Sequence, residues 1–584
     1  MDSHPTIISR QSRTTKVAPN LTDYSKACTS FTWDAAAQEL LDMYDADHLN
    51  IAYQCIDRHA DGALASACAL IFESAEGKTE RYTFAELKTA SNKFANVLRA
   101  QGVQKGDRVF IFLPPVPERY VAFMGILKLG AIVGTMFAAF QEDALLDRLG
   151  DSGASVIVTN ASLYPRINNV REHLPKLRKI VVIGRGGGAL PTADNIVSYD
   201  DAIENASSEF DTVPMGKDEY SYMLYTSGTT GKPKGIVHAH YDILQAMVTT
   251  KYVLDIRPDD VYWCTADLGW VTGVVYGVLG IWGLGGTNII YEGRFSPENW
   301  YDVLQKHRVS VWYSAPTAIR MLMAASVQPG EYDLSALRHL ASVGEPLNPE
   351  AIWWGQDAFG LTFHDTWWQT ELGGISITNL PALDVRPGSM GKPLPGIEAA
   401  IIDDSGNELP DGQQGNLVLR AATVSSLMKT VWGNQEKYES YFMGDWYLSG
   451  DAAVKDKDGY FWFVGRTDDV INTAGERVGP FEVESALVEH PDVVEAGVIG
   501  KPDDVRGEII KAFVVVRGGV EPDEELAEAL KVYVKHHLAG HAYPREIEFI
   551  DHLPKTRSGK IMRRVLKARE LGLPVGDTST LENY

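Results

Sequence analysis

Short apolar runs separated by helical segments recur along most of this chain. The runs are Val109–Leu113, Ser155–Thr159, Ile180–Ile183, Tyr222–Tyr225 and Val309–Tyr313. Because their side chains do not alternate between apolar and polar, these runs are typical of strands covered on both faces. Strands alternating with helices predict an α/β fold with mostly parallel sheets.

The start of one intervening helix can be placed from its residues. Thr83 followed by Glu86 forms the pattern of a capping box, in which each side chain bonds the other residue's backbone N–H. Leu87, Phe94 and Leu98 follow at helical spacing. We therefore expect an amphipathic helix beginning after Thr83.

The sequence pattern changes after about Asp468, where shorter elements predict a separate unit. The expected elements are a helix from Pro480 to Val488, strands near 493–499 and 509–516, and a helix from Pro522 to Leu538 that stops at Gly540. We therefore predict a large N-terminal domain of several subdomains over residues 1–467, followed by a small α+β domain over residues 468–584.

Charge and cysteine content exclude several classes of function. The 584 residues carry 54 basic and 77 acidic side chains, a net charge of −23, which argues against nucleic acid or an anionic membrane as the main partner. The four cysteines form no C-x-x-C motif, so neither a zinc ribbon nor a disulfide framework is expected. Because the first 30 residues lack the apolar run of a signal peptide, we expect a cytoplasmic protein.

One uncharged segment has the length of a membrane span. Residues 268–291 contain no charge, and Gly269, Gly273 and Gly277 repeat at small-xxx-small spacing. The segment nevertheless contains seven glycines and ends in Gly-Gly-Thr-Asn before its last strand-like residues, which disfavours a long helix. We expect a buried, closely packed wall of a site.

The strongest chemical signal is the segment Tyr225–Gly235, which follows a predicted strand and precedes a helix expected near 241–253. Glycines there allow close backbone approach to a ligand, hydroxyls donate hydrogen bonds, and lysines add charge, which together predict a polyphosphate-binding loop. A flexible surface turn is the alternative. The segment is not a Walker A motif, because Pro233 follows Lys232.

Further motifs occur in the order found in one known superfamily. They are Trp270–Gly273, Ser342–Pro346, His364–Glu371, Ser449–Asp451, Gly465–Asp468, Gly475–Arg477 and Pro554–Lys560. With the loop, they resemble the adenylate-forming superfamily of acyl-CoA synthetases, luciferases and peptide-synthetase adenylation domains. In detail they are similar to its AMP-forming acetyl-CoA synthetases.

This resemblance implies an ATP-dependent acid–thiol ligase that needs Mg²⁺. Acetate would react with ATP to give acetyl-AMP and pyrophosphate, and coenzyme A would then displace AMP. Propionate or another short-chain acid is the alternative substrate, and a catalytically silent nucleotide-binding regulator is the alternative from another class. The expected partners are small molecules, with neither nucleic acid nor membrane among them.

The resemblance also assigns the nucleotide site. Lys560, Arg477 and Glu371 would be catalytic, with Glu371 holding Mg²⁺. Lys560 lies in an acid-free, lysine- and arginine-rich stretch from 555 to 569, and its cation would stabilise the transition state of the first step. Besides Arg477, the ATP- and AMP-binding residues would be Thr226, Ser227, Gly228, Thr229, Thr230, Gly231, Lys232, Lys234, Gly344, Glu345, Pro346, Asp365, Thr366, Trp367, Trp368, Gln369, Thr370, Asp451 and Arg466.

The remaining assignments concern the acyl group, coenzyme A and domain motion. The acyl pocket would contain Trp270, Val271, Thr272, Val343 and Trp368, with the Trp368 indole leaving room for only a methyl or ethyl group; an ordinary core aromatic is the alternative for Trp368. Coenzyme A would contact Thr272, Ala474, Gly475 and Lys535, although Ala474 replaces the serine of the compared enzymes. Asp468 would be the hinge of a mobile C-terminal domain.

A peripheral cation would be bound by Val488, His490 and Val493. Acetylation of Lys560 by an acetyltransferase, reversed by a deacetylase, would remove the catalytic charge.

Overall fold

The computed structural model describes residues 6–11, 13, 16–42, 48–226, 233–473, 476–503, 505–538, 542–556, 560–576, 578–579 and 581. Over these residues the strands, numbered β1 to β27 in chain order, are Cys68–Glu73, Thr79–Thr83, Arg108–Phe112, Ile132–Met136, Val156–Asn160, Lys179–Ile183, Ile196–Ser198, Tyr220–Thr226, Lys234–Ala239, Val261–Cys264, Thr287–Tyr291, Val311–Ser314, His339–Val343, Phe363–Trp367, Ile377–Thr378, Lys392–Pro393, Ala399–Ile402, Gln414–Arg420, Thr430–Val431, Phe442–Met443, Trp446–Lys455, Phe461–Arg466, Ile471–Thr473, Glu476–Val478, Val493–Asp503, Gly507–Val516 and Glu546–Phe549.

The α-helices of the same residues, numbered α1 to α18, are Tyr24–Ser30, Trp33–Leu40, Arg58–Ala60, Phe84–Ala100, Pro117–Lys128, Glu142–Ser152, Tyr164–Val170, Tyr199–Asn205, Ile243–Tyr252, Val271–Val274, Gly280–Gly283, Pro297–Lys306, Pro316–Ala324, Pro349–Phe359, Gln435–Glu439, Pro480–Val488, Glu524–His537 and Arg563–Leu571. The capping box predicted at Thr83 and Glu86 is present at the start of α4.

Two large sheets form the body of the N-terminal part. One has the order β16-β15-β14-β13-β12-β10-β11-β1-β2, and the other has the order β19-β9-β8-β4-β3-β5-β6-β7. Their central strands are parallel, whereas the pairings at β1–β2, β14–β15–β16 and β8–β9–β19 are antiparallel. A single hydrophobic cluster includes residues from both sheets and from α4, α5 and α9. The predicted α/β fold with mostly parallel sheets is confirmed.

A smaller antiparallel sheet follows, with the order β17-β18-β21-β20 and β22 paired to β21. Its strands bring Asp451 opposite Arg466 in register. The C-terminal part has its own sheet, in which β27 pairs with β26 and the remaining order is β24-β23-β26-β25. It also has its own hydrophobic cluster, built on α16, α17 and these strands. A large N-terminal domain and a small C-terminal domain are therefore both present.

The phosphate-loop segment differs from the expected strand–loop–helix arrangement. The chain leaves β8 at Thr226 and returns at Lys234 as the antiparallel strand β9. Only after this strand and a short 3₁₀ turn does helix α9 begin at Ile243. β8 and β9 therefore form a β-hairpin in which Thr226 pairs with Lys234.

The uncharged segment 268–291 forms a broken helix and a strand. Helices α10 and α11 are joined by the π-helical turn Val275–Leu279, and strand β11 begins at Thr287. Most of this segment is buried, as expected for an internal wall. It is, however, more helical than its seven glycines led us to expect. Among the described residues, no helix is both long and apolar enough to cross a membrane.

The C-terminal elements match the predicted order closely. Helix α16 has the predicted bounds, β25 and β26 cover the two predicted strands, and α17 runs from Glu524 to His537. The predicted stop at Gly540 lies outside the described residues.

Candidate active site

The hairpin formed by β8 and β9 presents two predicted phosphate-site residues next to each other. Thr226 and Lys234 are paired across the hairpin. The Thr226 hydroxyl is buried, and it has no hydrogen-bond partner among the described residues. Six predicted loop residues lie outside the described residues: Ser227, Gly228, Thr229, Thr230, Gly231 and Lys232.

A tyrosine joins Lys234 to the predicted magnesium ligand. The Lys234 ammonium donates to the Tyr441 hydroxyl at 2.7 Å, and that hydroxyl donates to Glu371 Oε1 at 2.9 Å. Glu371 lies in the 3₁₀ turn Thr370–Leu372, and its carbonyl accepts a hydrogen bond from Met428 N–H. Burial lowers the pKa of Lys234, whereas Glu371 acts in the opposite direction.

A second polar cluster surrounds Asp451. Its Oδ2 accepts hydrogen bonds from the Trp367 indole at 2.9 Å and the Gln369 amide at 3.0 Å. Its Oδ1 forms an ion pair with Arg466 at 3.0 Å. Burial raises the pKa of Asp451, against the effects of Arg466 and Trp367. The Tyr447 hydroxyl donates to Gln369 Oε1 at 2.8 Å and so fixes the orientation of that amide.

The ends of β13 and β14 bring together several of the residues predicted to bind ATP and AMP. Ser342 donates to Asp365 at 2.6 Å, and burial raises the pKa of Asp365 to about 7. Gly344 has a φ of +98°, a backbone conformation that favours glycine. Glu345 accepts hydrogen bonds from Thr317 and Arg320. The turn is thereby held beside the strand end.

Neighbouring tryptophans on the segment after β14 have different environments. Trp367 faces Asp451, whereas Trp368 contacts the Tyr276 ring edge-on, with ring centroids 5.1 Å apart. The Tyr276 hydroxyl is itself fixed by Thr249 at 2.8 Å and by the Ile375 N–H at 2.7 Å. Trp368 therefore rests on a rigid support.

The other predicted acyl-pocket residues are divided between two clusters. The hydrophobic cluster shared by the two large sheets includes Val343, and Val271 and Trp368 pack against it. Thr272 is buried in α10 beside Val271. Trp270 instead packs on Phe137, with ring centroids 4.7 Å apart, at the edge of a different cluster.

Lys560 lies on the C-terminal domain but faces the Asp451 cluster. Lys560 is exposed, and the charges of Arg466, Arg563, Asp451 and Asp469 lie near enough to act on its pKa. Its backbone N–H donates to the Thr556 hydroxyl at 3.1 Å, and its carbonyl accepts from Thr556 N–H at 2.8 Å. This domain orientation thus places the predicted catalytic lysine near Asp451 and Arg466, two of the residues predicted to bind ATP and AMP.

Arg477 and Lys535 are not in contact with this cluster in the described residues, whereas the predicted hinge residue Asp468 borders it. Arg477 is exposed on β24, opposite Asn472. Asp468 is exposed, with Oδ1 3.8 Å from Arg466 Nε. Lys535 lies over the Tyr543 ring, with its ammonium 5.5 Å from the centroid. Ala474 and Gly475 are outside the described residues.

The residues predicted to bind a peripheral cation lie around a turn after α16. His490 Nδ1 accepts from the Asp492 N–H at 3.3 Å, and its carbonyl accepts from the Val493 N–H at 3.0 Å. Val488 ends α16. In the part of the chain that the structure describes, no group of three histidine, cysteine, aspartate or glutamate side chains is arranged to hold a metal.

Comparison with known proteins identifies the family. Residues 57–432 match the model of the AMP-binding enzyme family, and residues 482–560 match the model of the AMP-binding enzyme C-terminal domain. The chain belongs to the AMP-binding enzyme family.

Other members of the family match this chain over almost its whole length. An acetyl-coenzyme A synthetase of Bacillus subtilis is 54% identical, over 97% of this chain and 98% of its own. An acetyl-coenzyme A synthetase of Methanothrix soehngenii is 41% identical, over 97% of this chain and 88% of its own. Among solved structures, an anthranilate CoA ligase in complex with anthranoyl-AMP is 31% identical with a TM-score of 0.84, over 92% of this chain and 99% of its own. A Brucella canis acyl-CoA synthetase is 35% identical with a TM-score of 0.73, over 94% of this chain and 99% of its own.

Proposed function

We propose that this chain is an AMP-forming acid–thiol ligase that converts acetate, ATP and coenzyme A to acetyl-CoA, AMP and pyrophosphate. Its similarity to acetyl-coenzyme A synthetases over almost the whole chain supports this activity. The observation that carries the proposal is the buried Asp451, held by Arg466 at 3.0 Å, with the charge of Lys560 near enough to act on its pKa. Lys560 would supply a cation where the reacting anions meet.

In the first half-reaction, an acetate oxygen attacks the α-phosphorus of ATP, and the bond to the pyrophosphate oxygen breaks. Both reactants are anions, so their repulsion opposes the attack. Lys560 would reduce this repulsion and stabilise charge on the five-coordinate phosphorus. Asp451 would accept hydrogen bonds from the ribose hydroxyls, and Arg466 would assist it. The protein therefore contributes positioning and charge, with no covalent intermediate on the chain.

The residues at the phosphate end fit a magnesium ion. Glu371 supplies a carboxylate oxygen, the ligand type that Mg²⁺ prefers, and among the described residues no lysine or arginine forms a direct ion pair with it. Mg²⁺ would neutralise charge on the β- and γ-phosphates when bound. Thr226 and Lys234, with the loop between them, would hold the phosphate oxygens.

In the second half-reaction, the coenzyme A sulfur attacks the carbonyl carbon of acetyl-AMP, AMP leaves, and the thiol proton is released. We propose that the C-terminal domain turns about Asp468 between the half-reactions, with the domain boundary between residues 467 and 468. The turn would withdraw Lys560 and bring Arg477 and the 474–475 segment to the site. Thr272 and Lys535 would contact coenzyme A.

Acetate is the proposed acid because Trp368 closes the acyl pocket against Tyr276. Propionate is the second candidate. A hydrophobic pocket discriminates between acids that differ by one methylene by only about 1–3 kcal/mol of binding free energy in the transition state. We also propose a cytoplasmic enzyme and control by reversible acetylation of Lys560, which would remove the charge that the first half-reaction needs. Acetylated enzyme with full adenylation activity would contradict that control.

The test is acetate-dependent exchange of labelled pyrophosphate into ATP, compared across acetate, propionate and butyrate. Exchange should be fastest with acetate, slower with propionate and slowest with butyrate. Exchange that does not depend on any short-chain acid would contradict the proposed function.

A further inference from the structure

Tyr441 occupies the position between the two halves of the proposed phosphate site. Its hydroxyl accepts from Lys234 and donates to Glu371, at 2.7 and 2.9 Å. These partners are separated from Tyr441 by 207 and 70 residues in sequence. A single hydroxyl thus links the phosphate-loop hairpin to the proposed magnesium ligand.

The Tyr441 hydroxyl is suited to both hydrogen bonds at once. A neutral hydroxyl can accept from an ammonium and donate to a carboxylate simultaneously. The Tyr441 hydroxyl therefore links Lys234 to Glu371 through two hydrogen bonds.

The Tyr441 ring adds a second contribution. The Lys234 and Lys437 ammonium groups lie 5.3 and 4.9 Å from its centroid, within the range of cation–π attraction. The ring is also stacked on Tyr447, with centroids 6.0 Å apart and planes at 10°. The face of this half-buried aromatic ring thus helps to place two cations at the phosphate end of the site.

The contacts beyond Tyr441 lead to the ribose end. Tyr447 donates to Gln369, which donates to Asp451. Removal of the Tyr441 hydroxyl alone would leave this second set of hydrogen bonds intact. The two ends of the site can therefore be tested separately.

Resting on the function proposed above, we infer that Tyr441 is a positioning residue for the ATP polyphosphate: its hydroxyl holds Lys234 and Glu371 in place for the β- and γ-phosphates. It acts through these two residues and serves the first half-reaction. The second half-reaction, which starts from acetyl-AMP, does not use it.

Tyr441→Phe is the decisive variant, because it removes the hydroxyl and keeps the ring. The matched control is Tyr438→Phe, on the short helix that precedes Tyr441, where the ring contacts Phe442. Affinities for two probes are measured by titration calorimetry: the ATP analogue AMP-PNP with Mg²⁺, and AMP. AMP lacks the β- and γ-phosphates and reports only on the nucleoside end.

We expect Tyr441→Phe to weaken AMP-PNP binding about tenfold, the scale of one hydrogen bond to a charged group, and to leave AMP binding unchanged. The KM for ATP in pyrophosphate exchange should rise by a similar factor, while thioester formation from supplied acetyl-AMP stays at the wild-type rate. Tyr438→Phe should change none of these quantities.

Equal weakening of AMP-PNP and AMP would show a general structural role and would overturn the inference. Unchanged AMP-PNP binding would overturn it as well. If the wild-type chain shows no acid-dependent exchange, the proposed function fails, and the comparison of the two probes still decides whether Tyr441 serves the polyphosphate.

Discussion

The Asn348 side-chain amide donates a hydrogen bond of 2.8 Å to the Ser485 hydroxyl, across the interface between the two domains. Asn348 is buried immediately before α14, and Ser485 lies on α16 of the C-terminal domain. The contact belongs to the orientation in which Lys560 faces Asp451. It should therefore favour the first half-reaction over the second.

Ser485→Ala should slow acetate-dependent pyrophosphate exchange several-fold, because it leaves a buried amide without its partner at a cost of about 1–3 kcal/mol. Thioester formation from supplied acetyl-AMP should not slow. The control is Ser405→Ala, in an exposed turn. Equal slowing of both half-reactions by Ser485→Ala would contradict the role assigned to this contact.

Two carboxyl groups meet at the same interface and predict a pH dependence. Burial raises the pKa of Glu350 to about 7, and Glu489 of the C-terminal domain raises it further. Burial also raises the pKa of Glu489, whereas His537 lowers it, and burial raises that of the nearby Tyr533 phenol. The folded protein, with its domains docked, holds the Glu350 proton more tightly than the unfolded chain does. Protonated Glu350 therefore contributes its full stabilisation of the folded protein below the ordinary glutamate pKa. This contribution is lost as the pH rises through about 7.

Glu350→Gln should therefore flatten the pH dependence of thermal stability between pH 5 and pH 8. The melting temperature of the variant should exceed that of the wild type more at pH 8 than at pH 5. Glu436→Gln, at an exposed glutamate in α15, is the control. An unchanged pH dependence in Glu350→Gln would rule out this pair as its source.

Trp368→Gly should shift acid preference toward longer chains, because it removes the indole that rests on Tyr276. We expect the ratio of butyrate to acetate activity, measured by exchange, to rise at least about tenfold, the effect of one or two methylenes in an apolar pocket. Trp367→Phe alters the adjacent tryptophan, which faces Asp451, and should leave this ratio unchanged. An unaltered preference in Trp368→Gly would show that the pocket is assigned wrongly.

Asp451→Asn should weaken AMP and AMP-PNP by similar factors, about tenfold or more, because the lost charge serves the ribose end that both ligands share. The variant also leaves Arg466 without the carboxylate of its ion pair. Calorimetric titration of both ligands gives the comparison. Selective loss of AMP-PNP binding would place Asp451 at the phosphates instead.

The sequence predicted the fold class and seven of the 27 strands in the described residues. Five of the seven are buried strands of the two large sheets, which have a distinctive composition. Helix α16 was placed exactly, since Pro480 marks a helix start. The strand β9 after the phosphate loop was missed, because the glycine and lysine residues of the motif conceal its first pairs with β8. The helical content of residues 268–291 was underestimated, because tertiary packing overrides the low helix propensity of glycine.

Within the site, the motifs supplied residues that lie close together in sequence, and the structure brings several of these into contact. Tyr441 was missed because its contacts span 207 and 70 residues, and a tyrosine in a short polar segment has no distinguishing pattern. The same holds for Asn348 and Ser485, which are 137 residues apart. Contacts between distant segments depend on tertiary structure, which local sequence pattern does not report.

The most direct measurement compares the two half-reactions of Lys560→Ala with those of Lys567→Ala, a matched change in helix α18. We expect Lys560→Ala to abolish acetate-dependent pyrophosphate exchange and still to form acetyl-CoA from supplied acetyl-AMP near the wild-type rate, whereas Lys567→Ala retains both. Equal loss of both half-reactions in Lys560→Ala, or exchange that persists in it, would contradict the proposed role of Lys560 in the first half-reaction alone.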